Sequence, residues 1–167
     1  MTEAGSQAGH PARSRLRGVI AIALGVVAAD QLTKHWAVNA LSNGDARHVL
    51  WTLQFNLSFN SGMAFSAGRS AGPIIGVLAL VVVVVLLLSV RRSGSAASRV
   101  GIGLIAGGAL GNVVDRLFRG EGWLHGSVVD FIDFQWFPIF NIADSAINVG
   151  GAVLVLAALF DSRTKSA

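Results

Sequence analysis

The chain has 167 residues, of which 53% are hydrophobic and only 13% are charged, and its formal net charge is +4. Charged residues make up about a quarter of a soluble domain, so this composition excludes an ordinary soluble globular protein. There is no cysteine, which excludes a disulfide scaffold, a thiol nucleophile and a cysteine-ligated metal site. The basic residues are scattered among apolar stretches, which is typical of membrane topology signals and not of a nucleic-acid-binding surface. The sequence therefore predicts a single-domain integral membrane protein.

The first apolar block, residues 18–29, is interrupted early by Asp30. A membrane span needs roughly 20 apolar residues, so this block spans only if its helix continues through Leu32 and Trp36. Its basic start and short apolar run also resemble a signal peptide, which would be removed. We interpret the block as a retained helix at about residues 17–37, preceded by a disordered tail at 1–16.

The segment after this helix alternates between apolar and polar side chains from His48 to Asn60, with Leu50 as the single break. An alternation of period two over this length predicts β-strand. Trp51 within it has the amphipathic ring that is enriched at membrane interfaces, as do Trp123 and Trp136. We expect a small β-sheet on the outer membrane surface, formed within about residues 47–66.

Three further apolar stretches are long enough to span a membrane, which gives four spans and leaves both termini on one side. The two tails and the loop between the second and third spans carry most of the lysines and arginines. Because basic loops stay in the cytoplasm, both termini are expected there. The sequence therefore predicts one domain at 17–161 and a cytoplasmic tail at 162–167. The second, third and fourth spans of this domain are expected at about 72–90, 99–116 and 137–160, and the third span is rich in glycine.

Aspartates in or beside apolar stretches are the first candidates for chemistry, since a carboxylate in hydrocarbon costs several kcal/mol and usually has a function. In the last span, Asn141, Asp144, Ser145 and Asn148 follow the spacing of one helix face. Interhelical hydrogen bonding accounts well for the serine and for Asn148, but less well for Asp144. The five candidate aspartates are Asp30, Asp115, Asp130, Asp133 and Asp144.

The third span ends with Asn112, Asp115 and Arg116 on one helix face, and Asp130 follows in an apolar segment beyond it. Asp130 and Asp144 can therefore meet at the outer surface, with Asp115 a close competitor. Two carboxylates in a poorly hydrated site share a proton. The ionised one can take a proton from water while the other polarises a carbonyl, as peptide hydrolysis requires. Spacing leaves two rivals open: a proton- or cation-coupled transporter or channel, and a noncatalytic scaffold.

Five sequence blocks resemble, in order, those of the lipoprotein signal peptidases (signal peptidase II), a family of bacterial aspartyl proteases. Each block alone is weakly specific, but five in the family's order together with four spans are highly specific. The blocks are Asp30-Gln-Leu-Thr-Lys34, Asn60-Ser-Gly-Met-Ala-Phe65, Gly107-Gly-Ala-Leu-Gly-Asn-Val-Val-Asp-Arg116, Val128-Val-Asp-Phe131 and Phe140-Asn-Ile-Ala-Asp-Ser145.

This resemblance implies that Asp130 and Asp144 are the catalytic dyad and that Asp115 has a supporting role beside Arg116. It implies that further polar side chains line the site and hold the substrate, and that Asp30 and Lys34 are structural or interfacial. It assigns no role to Asp133. The implied substrate-binding and supporting residues are Asn60, Asn112, Asp115, Arg116 and Asn141.

The resemblance also implies the substrate and the surroundings. The substrate would be a prolipoprotein whose lipobox cysteine bears diacylglycerol, cut on the amino side of that cysteine without a metal or cofactor. The cyclic peptide globomycin would occupy the dyad. A monomer in the bacterial cytoplasmic membrane is expected, among membrane lipids and without nucleic acid, with its site near the outer face and a β-cradle on the outer surface.

Overall fold

Within residues 11–62, 71–93 and 95–165, which the computed structural model describes, the fold consists of four long helices and one small antiparallel sheet. All four helices are long and apolar enough to cross a membrane, which confirms the predicted architecture. The elements in chain order are α1 (Pro11–Ala40), β1 (Arg47–Leu50), β2 (Leu53–Asn60), α2 (Ala71–Ser89) with a 3-10 turn (Val90–Arg92), α3 (Ala96–Phe118), β3 (Val128–Asp133) and α4 (Ile142–Lys165).

Helix α3 is the centre of the bundle and contacts α1, α2 and α4. Its glycines allow this close packing. A Cβ atom on Gly107 would lie 2.7 Å from the carbonyl oxygen of Ala23 in α1. A Cβ atom on Gly108 would overlap the carbonyl oxygen of Ala143 in α4. These close approaches show how the glycine-rich span packs against α1 and α4.

Helix α2 packs on α3 and is apolar on its remaining faces. An apolar helix that is mostly uncovered suits a lipid environment, where no polar face is needed. Val83 is buried toward the bundle. The side chains that α2 leaves exposed include Ile74, Leu78, Val81, Val84, Val85 and Leu88.

The sheet has the strand order β1-β2-β3, and both pairs are antiparallel. The predicted small sheet is confirmed, and the alternating segment 48–60 contains two of its strands, because β1 and β2 form a hairpin. The chain turns at Trp51 and Thr52, and Trp51 has a φ of 50°, in the left-handed region. The break in alternation at Leu50 marks this turn. The prediction could not include β3, because both of its faces are largely buried and no period-two pattern results.

An aromatic cluster attaches the sheet to the end of α1. The ring of Trp36 lies 5.1 Å from that of Phe55 and 6.1 Å from that of Phe131, both in edge-to-face geometry. Such pairs each contribute about 0.5–1.5 kcal/mol beyond the area that they bury. Helix α1 therefore continues past Asp30, as predicted, and its last turns support the sheet. We call this end of the molecule the sheet end.

The amino-terminal boundary differs from the prediction. Residues 11–16, expected in the disordered tail, belong to α1, while residues 1–10 lie outside the described part of the chain. Proline is well tolerated in the first turn of a helix, and the alanine and arginines that follow favour helix. Of the expected outer β region, residues 63–66 also lie outside the described residues.

The last helix begins later and ends later than predicted. The backbone of Phe140 pairs with that of β3, donating to the Ile132 carbonyl at 3.1 Å and accepting from the Ile132 N–H at 2.8 Å. This pairing keeps residues 137–141 out of the helix, so α4 begins at Ile142 and not at 137. It continues to Lys165, through most of the expected tail.

Asp133 is buried at the sheet, where three donors surround it. Its carboxylate accepts hydrogen bonds from Gln54 Nε2 at 2.8 Å, Asn56 Nδ2 at 3.1 Å and the backbone N–H of Gln135 at 2.6 Å. The hydrogen bonds from Gln54 and then Asn56 hold the pKa of Asp133 below its usual value. Asp133, to which the resemblance assigns no role, thus links β2 to the end of β3 through these hydrogen bonds.

We expect Asp133→Ala to lower the free energy of unfolding by about 1–3 kcal/mol, because two side-chain amides lose their acceptor. The stabilisation is present above the pKa of the unfolded aspartate and is lost as the pH falls through the lower folded-state pKa. Thermal unfolding in detergent measures the change. Asp45→Ala, at an exposed aspartate, is the matched control. Equal melting temperatures for both variants would contradict this role.

Candidate active site

Asp130 and Asp144 come from different elements that meet at the sheet end. Asp130 lies on β3 and is only 3% exposed, while Asp144 lies in the first turn of α4 and is half-buried. Asn141 connects them. Its Nδ2 donates to Asp130 Oδ1 at 2.7 Å, and its Oδ1 accepts from the Asp144 N–H at 2.9 Å. Its own backbone N–H donates to Asp144 Oδ2 at 3.2 Å, so the reciprocal cap that begins α4 also positions both carboxylates.

Two further asparagines contact the pair, one for each carboxylate. Asn112 on α3 donates from Nδ2 to Asp144 Oδ1 at 2.8 Å. Asn60, at the end of β2, hydrogen bonds to Asp130. Its Oδ1 already accepts from the Gly62 N–H at 2.9 Å, which leaves the amide NH2 as the donor to Asp130. The asparagines predicted to line the site therefore all reach it.

The environment of Asp130 stabilises its protonated form relative to that of an aspartate in water. Burial raises the pKa of Asp130 to about 6, and the charge of Asp144 acts in the same direction. Hydrogen bonds from Asn141 and Asn60 and the charge of Lys34 oppose the shift without cancelling it. The two aspartates thus interact electrostatically, as expected for carboxylates that share a proton.

Arg116 supplies a cation beside the pair. It is 5% exposed, and its charge interacts with those of Asp130 and Asp144. Among the described residues, its Nη1 atom has no hydrogen-bond partner. This atom lies 3.3 Å from the position that a Cβ would take on Gly72, so glycine leaves space around it. A buried donor without a partner is costly, which makes Nη1 a ready donor for an oxygen of a bound molecule.

Asp115, the competitor on spacing, belongs to an ion network with Lys34 and Arg119. Its carboxylate contacts Lys34 Nζ at 2.8 Å and Arg119 Nε at 2.7 Å. It also accepts from the backbone N–H of Val129 at 3.1 Å. The network therefore links α1, α3 and β3, and Asp115 faces cations and not the other carboxylates of the site.

Asp30 completes this network. It contacts Lys34 Nζ at 2.8 Å and accepts from the Ala143 N–H at 3.0 Å, so it reaches the start of α4. Sequence analysis missed Gln31, whose Nε2 donates to the Gly111 carbonyl at 3.1 Å and to Asp115 at 3.2 Å. It also missed Arg119, although its spacing of four from Asp115 on α3 is a recognisable ion-pair signal.

The predicted polar stripe of α4 divides into two halves. Asn141 and Asp144 face the site, whereas Ser145 and Asn148 bond carbonyl oxygens of their own helix. Ser145 Oγ donates to the Asn141 carbonyl at 2.9 Å, and Asn148 Nδ2 donates to that of Asp144 at 2.9 Å. Across the residues that the structure describes, no group of three or more histidine, cysteine or acidic side chains is arranged to hold a metal ion.

Comparison with known proteins gives a consistent result. The family model described as "Signal peptidase (SPase) II" matches residues 22–160. A protein named lipoprotein signal peptidase from Mycobacterium avium (strain 104) is 42% identical over 143 residues, which cover 85% of this chain and 78% of that protein. One of the same name from Mycolicibacterium smegmatis is 40% identical over 160 residues, covering 94% and 68% of the two chains.

Solved structures agree with the fold. A chain described as a bacterial membrane enzyme structure, obtained by the in meso method at 2.3 Å resolution, aligns with a TM-score of 0.75 and 31% identity. The alignment covers 89% of this chain and 91% of that one. A second such structure, at 1.9 Å resolution, gives a TM-score of 0.74 at 31% identity, covering 85% and 92%.

Four membrane-spanning helices, a small sheet at one end and the family match define an integral membrane peptidase of the aspartic type from bacteria. The match extends over most of the chain and includes every block singled out in the sequence. The chain belongs to the signal peptidase II family.

Proposed function

We propose that this protein removes signal peptides from prolipoproteins whose lipobox cysteine bears diacylglycerol, cleaving on the amino side of that cysteine. The observation that carries the proposal is the pair Asp130 and Asp144, joined through Asn141 and belonging to two different elements. The names of the relatives support the substrate class.

In the proposed mechanism the two aspartates share one proton. Asp130, whose pKa is raised, carries it, and Asp144, which accepts from Asn112 and the Asn141 N–H, is the carboxylate. Asp144 takes a proton from water, the water oxygen bonds to the scissile carbonyl carbon, and Asp130 protonates the carbonyl oxygen. When the C–N bond breaks, Asp144 gives its proton to the leaving amine and Asp130 recovers its own. The products are the carboxyl end of the signal peptide and the free amine of the lipidated cysteine.

Arg116 is proposed to bind the substrate. Its buried Nη1 has no partner among the described residues and its charge interacts with both carboxylates, so it can donate to a substrate carbonyl oxygen. Asn60 is proposed to hold Asp130 in place from the sheet side. No step of this scheme requires a metal or cofactor.

The proposed orientation puts both termini in the cytoplasm and the sheet end at the outer face of the cytoplasmic membrane. Trp51 is 92% exposed at the tip of the hairpin, and Trp123 and Trp136 are also exposed at the sheet end. Such rings are favoured at the membrane interface. The lipid chains of the substrate would then remain in the outer leaflet, and a monomer would suffice. By resemblance, globomycin is proposed to bind at the dyad.

The test is cleavage of a purified, diacylglyceryl-modified prolipoprotein by the purified protein in detergent, followed as a shift on a gel. The same prolipoprotein without diacylglycerol is the matched control and should remain uncut, and globomycin should inhibit cleavage. If the lipidated substrate also remains uncut, the proposal is wrong. Proton or cation flux in proteoliposomes then tests the transporter alternative.

The pH dependence of cleavage follows from the shared proton. Asp130 holds its proton up to about pH 6, so the rate should fall as the pH rises through that value. It should fall again in acid, when the pair takes up a second proton, which gives a bell-shaped profile for the pair. Initial rates measured across this range, with melting temperatures at each pH, check the expectation. A flat profile in a protein that stays folded would contradict it.

A further inference from the structure

We infer that Lys34 is a positioning residue for the dyad: its buried ammonium fixes the orientation of the Asn112 carboxamide, which in turn holds Asp144. This inference rests on the proposed function and adds a residue that acts on the reaction through another. Lys34 touches neither carboxylate of the pair among the contacts that the structure describes. Its charge acts on Asp130 from a distance, and its hydrogen-bonded path to Asp144 passes through one side chain of α3.

The Lys34 ammonium directs two of its three N–H donors at carboxylates and the third at Asn112. Lys34 is fully buried, and its Nζ contacts Asp30 Oδ2 at 2.8 Å, Asp115 Oδ2 at 2.8 Å and Asn112 Oδ1 at 2.9 Å. An ammonium has three donors and no acceptor, so all of its hydrogen-bonding capacity is used by three oxygen atoms. The two carboxylates compensate its charge, and the third donor is directed at the amide.

These contacts allow the Asn112 amide only one orientation. Turning it over would place its NH2 group against the Lys34 ammonium and its oxygen against the Asp144 carboxylate, so both contacts would become repulsive. Asn141 Nδ2 reinforces the observed orientation by donating to the same Asn112 oxygen at 3.2 Å. The Asn112 NH2 group is therefore directed at Asp144 Oδ1, 2.8 Å away.

The charge of Lys34 acts directly on Asp130, but its link to Asp144 is indirect. Asp130 faces Asp144 from β3, and Arg116 interacts with it from α3. Lys34 approaches from α1, on the far side of the Asn112 carboxamide. Replacing a buried ion pair with apolar side chains often leaves the stability of a protein unchanged or raises it. A contribution to stability therefore does not by itself explain why a lysine is buried here.

The experiment compares cleavage by a charge-balanced variant, Lys34→Met with Asp30→Asn, against Asp30→Asn and the wild type. Removing Lys34 alone leaves buried carboxylates unpaired, and the second substitution guards against loss of folding. We expect kcat of the charge-balanced variant to fall by roughly 100-fold relative to Asp30→Asn, because Asp144 is displaced from its catalytic position. We expect KM to change by less than about twofold, because the contacts that bind the substrate are unchanged. Melting temperatures confirm that each variant is folded.

A double-mutant cycle tests whether Lys34 acts through Asn112. Adding Asn112→Ala to the charge-balanced variant should lower kcat by less than about threefold further, whereas Asn112→Ala in the Asp30→Asn background should lower it by roughly 100-fold. Arg119→Gln is the matched control, since it removes the other cation on Asp115 without touching Asn112. Its kcat should remain within about twofold of the wild type.

The outcomes separate this inference from the proposed function. If the wild type cleaves and the Lys34 variant keeps the kcat of Asp30→Asn, the positioning role is wrong and the proposed function stands. Additive losses with Asn112→Ala, or a change in KM alone, likewise contradict action through Asn112. If the wild type does not cleave a competent substrate, the proposed function fails and this inference fails with it.

Discussion

Asp130→Asn and Asp144→Asn are each expected to abolish cleavage, with a loss of roughly 10⁴-fold in kcat, as for other catalytic groups that act as a unit. Asparagine has nearly the shape of aspartate but can neither take a proton from water nor donate a carboxyl proton. The Asn141 contacts that begin α4 can largely persist around it, so the fold should survive. The measurement is the rate of signal-peptide release from lipidated prolipoprotein.

The control for these variants is Asp45→Asn, at an exposed aspartate in the loop before β1 that bonds only its near neighbour Asn43 in the described contacts. It should cleave like the wild type. Size-exclusion profiles and melting temperatures establish that all three variants are folded. If Asp130→Asn and Asp144→Asn both still cleave, the dyad is misassigned and Asp115 becomes the next residue to test.

Gly108→Ala is expected to lower the free energy of unfolding by about 3 kcal/mol, at the upper end of the usual cost of overpacking. The added Cβ would overlap the carbonyl oxygen of Ala143 and lie 2.8 Å from Ile147 Cγ1. A backbone atom cannot move aside as the end of a flexible side chain can, so the added methyl group must push α3 and α4 apart. This separation falls close to the hydrogen bond from Asn112 to Asp144. Thermal unfolding and the yield of monodisperse protein in detergent measure the effect, and the rate of cleavage should fall with it.

The chain provides a matched control in Gly151→Ala on α4. A Cβ there would meet no atom within 4 Å among the described residues, and a helical glycine replaced by alanine gains roughly 0.5–1 kcal/mol. This variant should therefore be as stable as the wild type or more so. If both glycine variants melt alike, close approach at Gly108 does not limit the packing of α3 on α4.

The spans were predictable because their signal is local. An apolar run of sufficient length identifies a membrane helix whatever it packs against. The sheet was only partly predictable. The turn at Trp51 uses a positive φ without glycine, asparagine or aspartate, so the usual turn residues are absent. The strand β3 is recognisable only through its partner β2, which pairs Ser58 with Asp130 from a distant part of the chain.

In the site, too, the features with a local signal were predictable and those that depend on distant contacts were not. Helical spacing was enough to group Asn112 with Arg116, and it singled out Asp144 in the last span. Spacing could not separate the environment of Asp115 from that of Asp130, because one acid lies in the last turns of α3 and the other follows the end of the same helix. That distinction depends on Lys34, which lies far away in sequence on α1 and pairs with Asp115. Contacts of this kind have no periodic signature in a single sequence.

The pairing of Phe140 with Ile132 has a consequence for variation of this fold. It closes the loop 134–139 at its base, so the two ends of the backbone that leads from Asp130 to Asn141 are held together there. We therefore expect changes in the length and composition of this loop to leave the separation of the two carboxylates unaltered. This pairing therefore separates variation in the loop from the arrangement of Asp130 and Asp144.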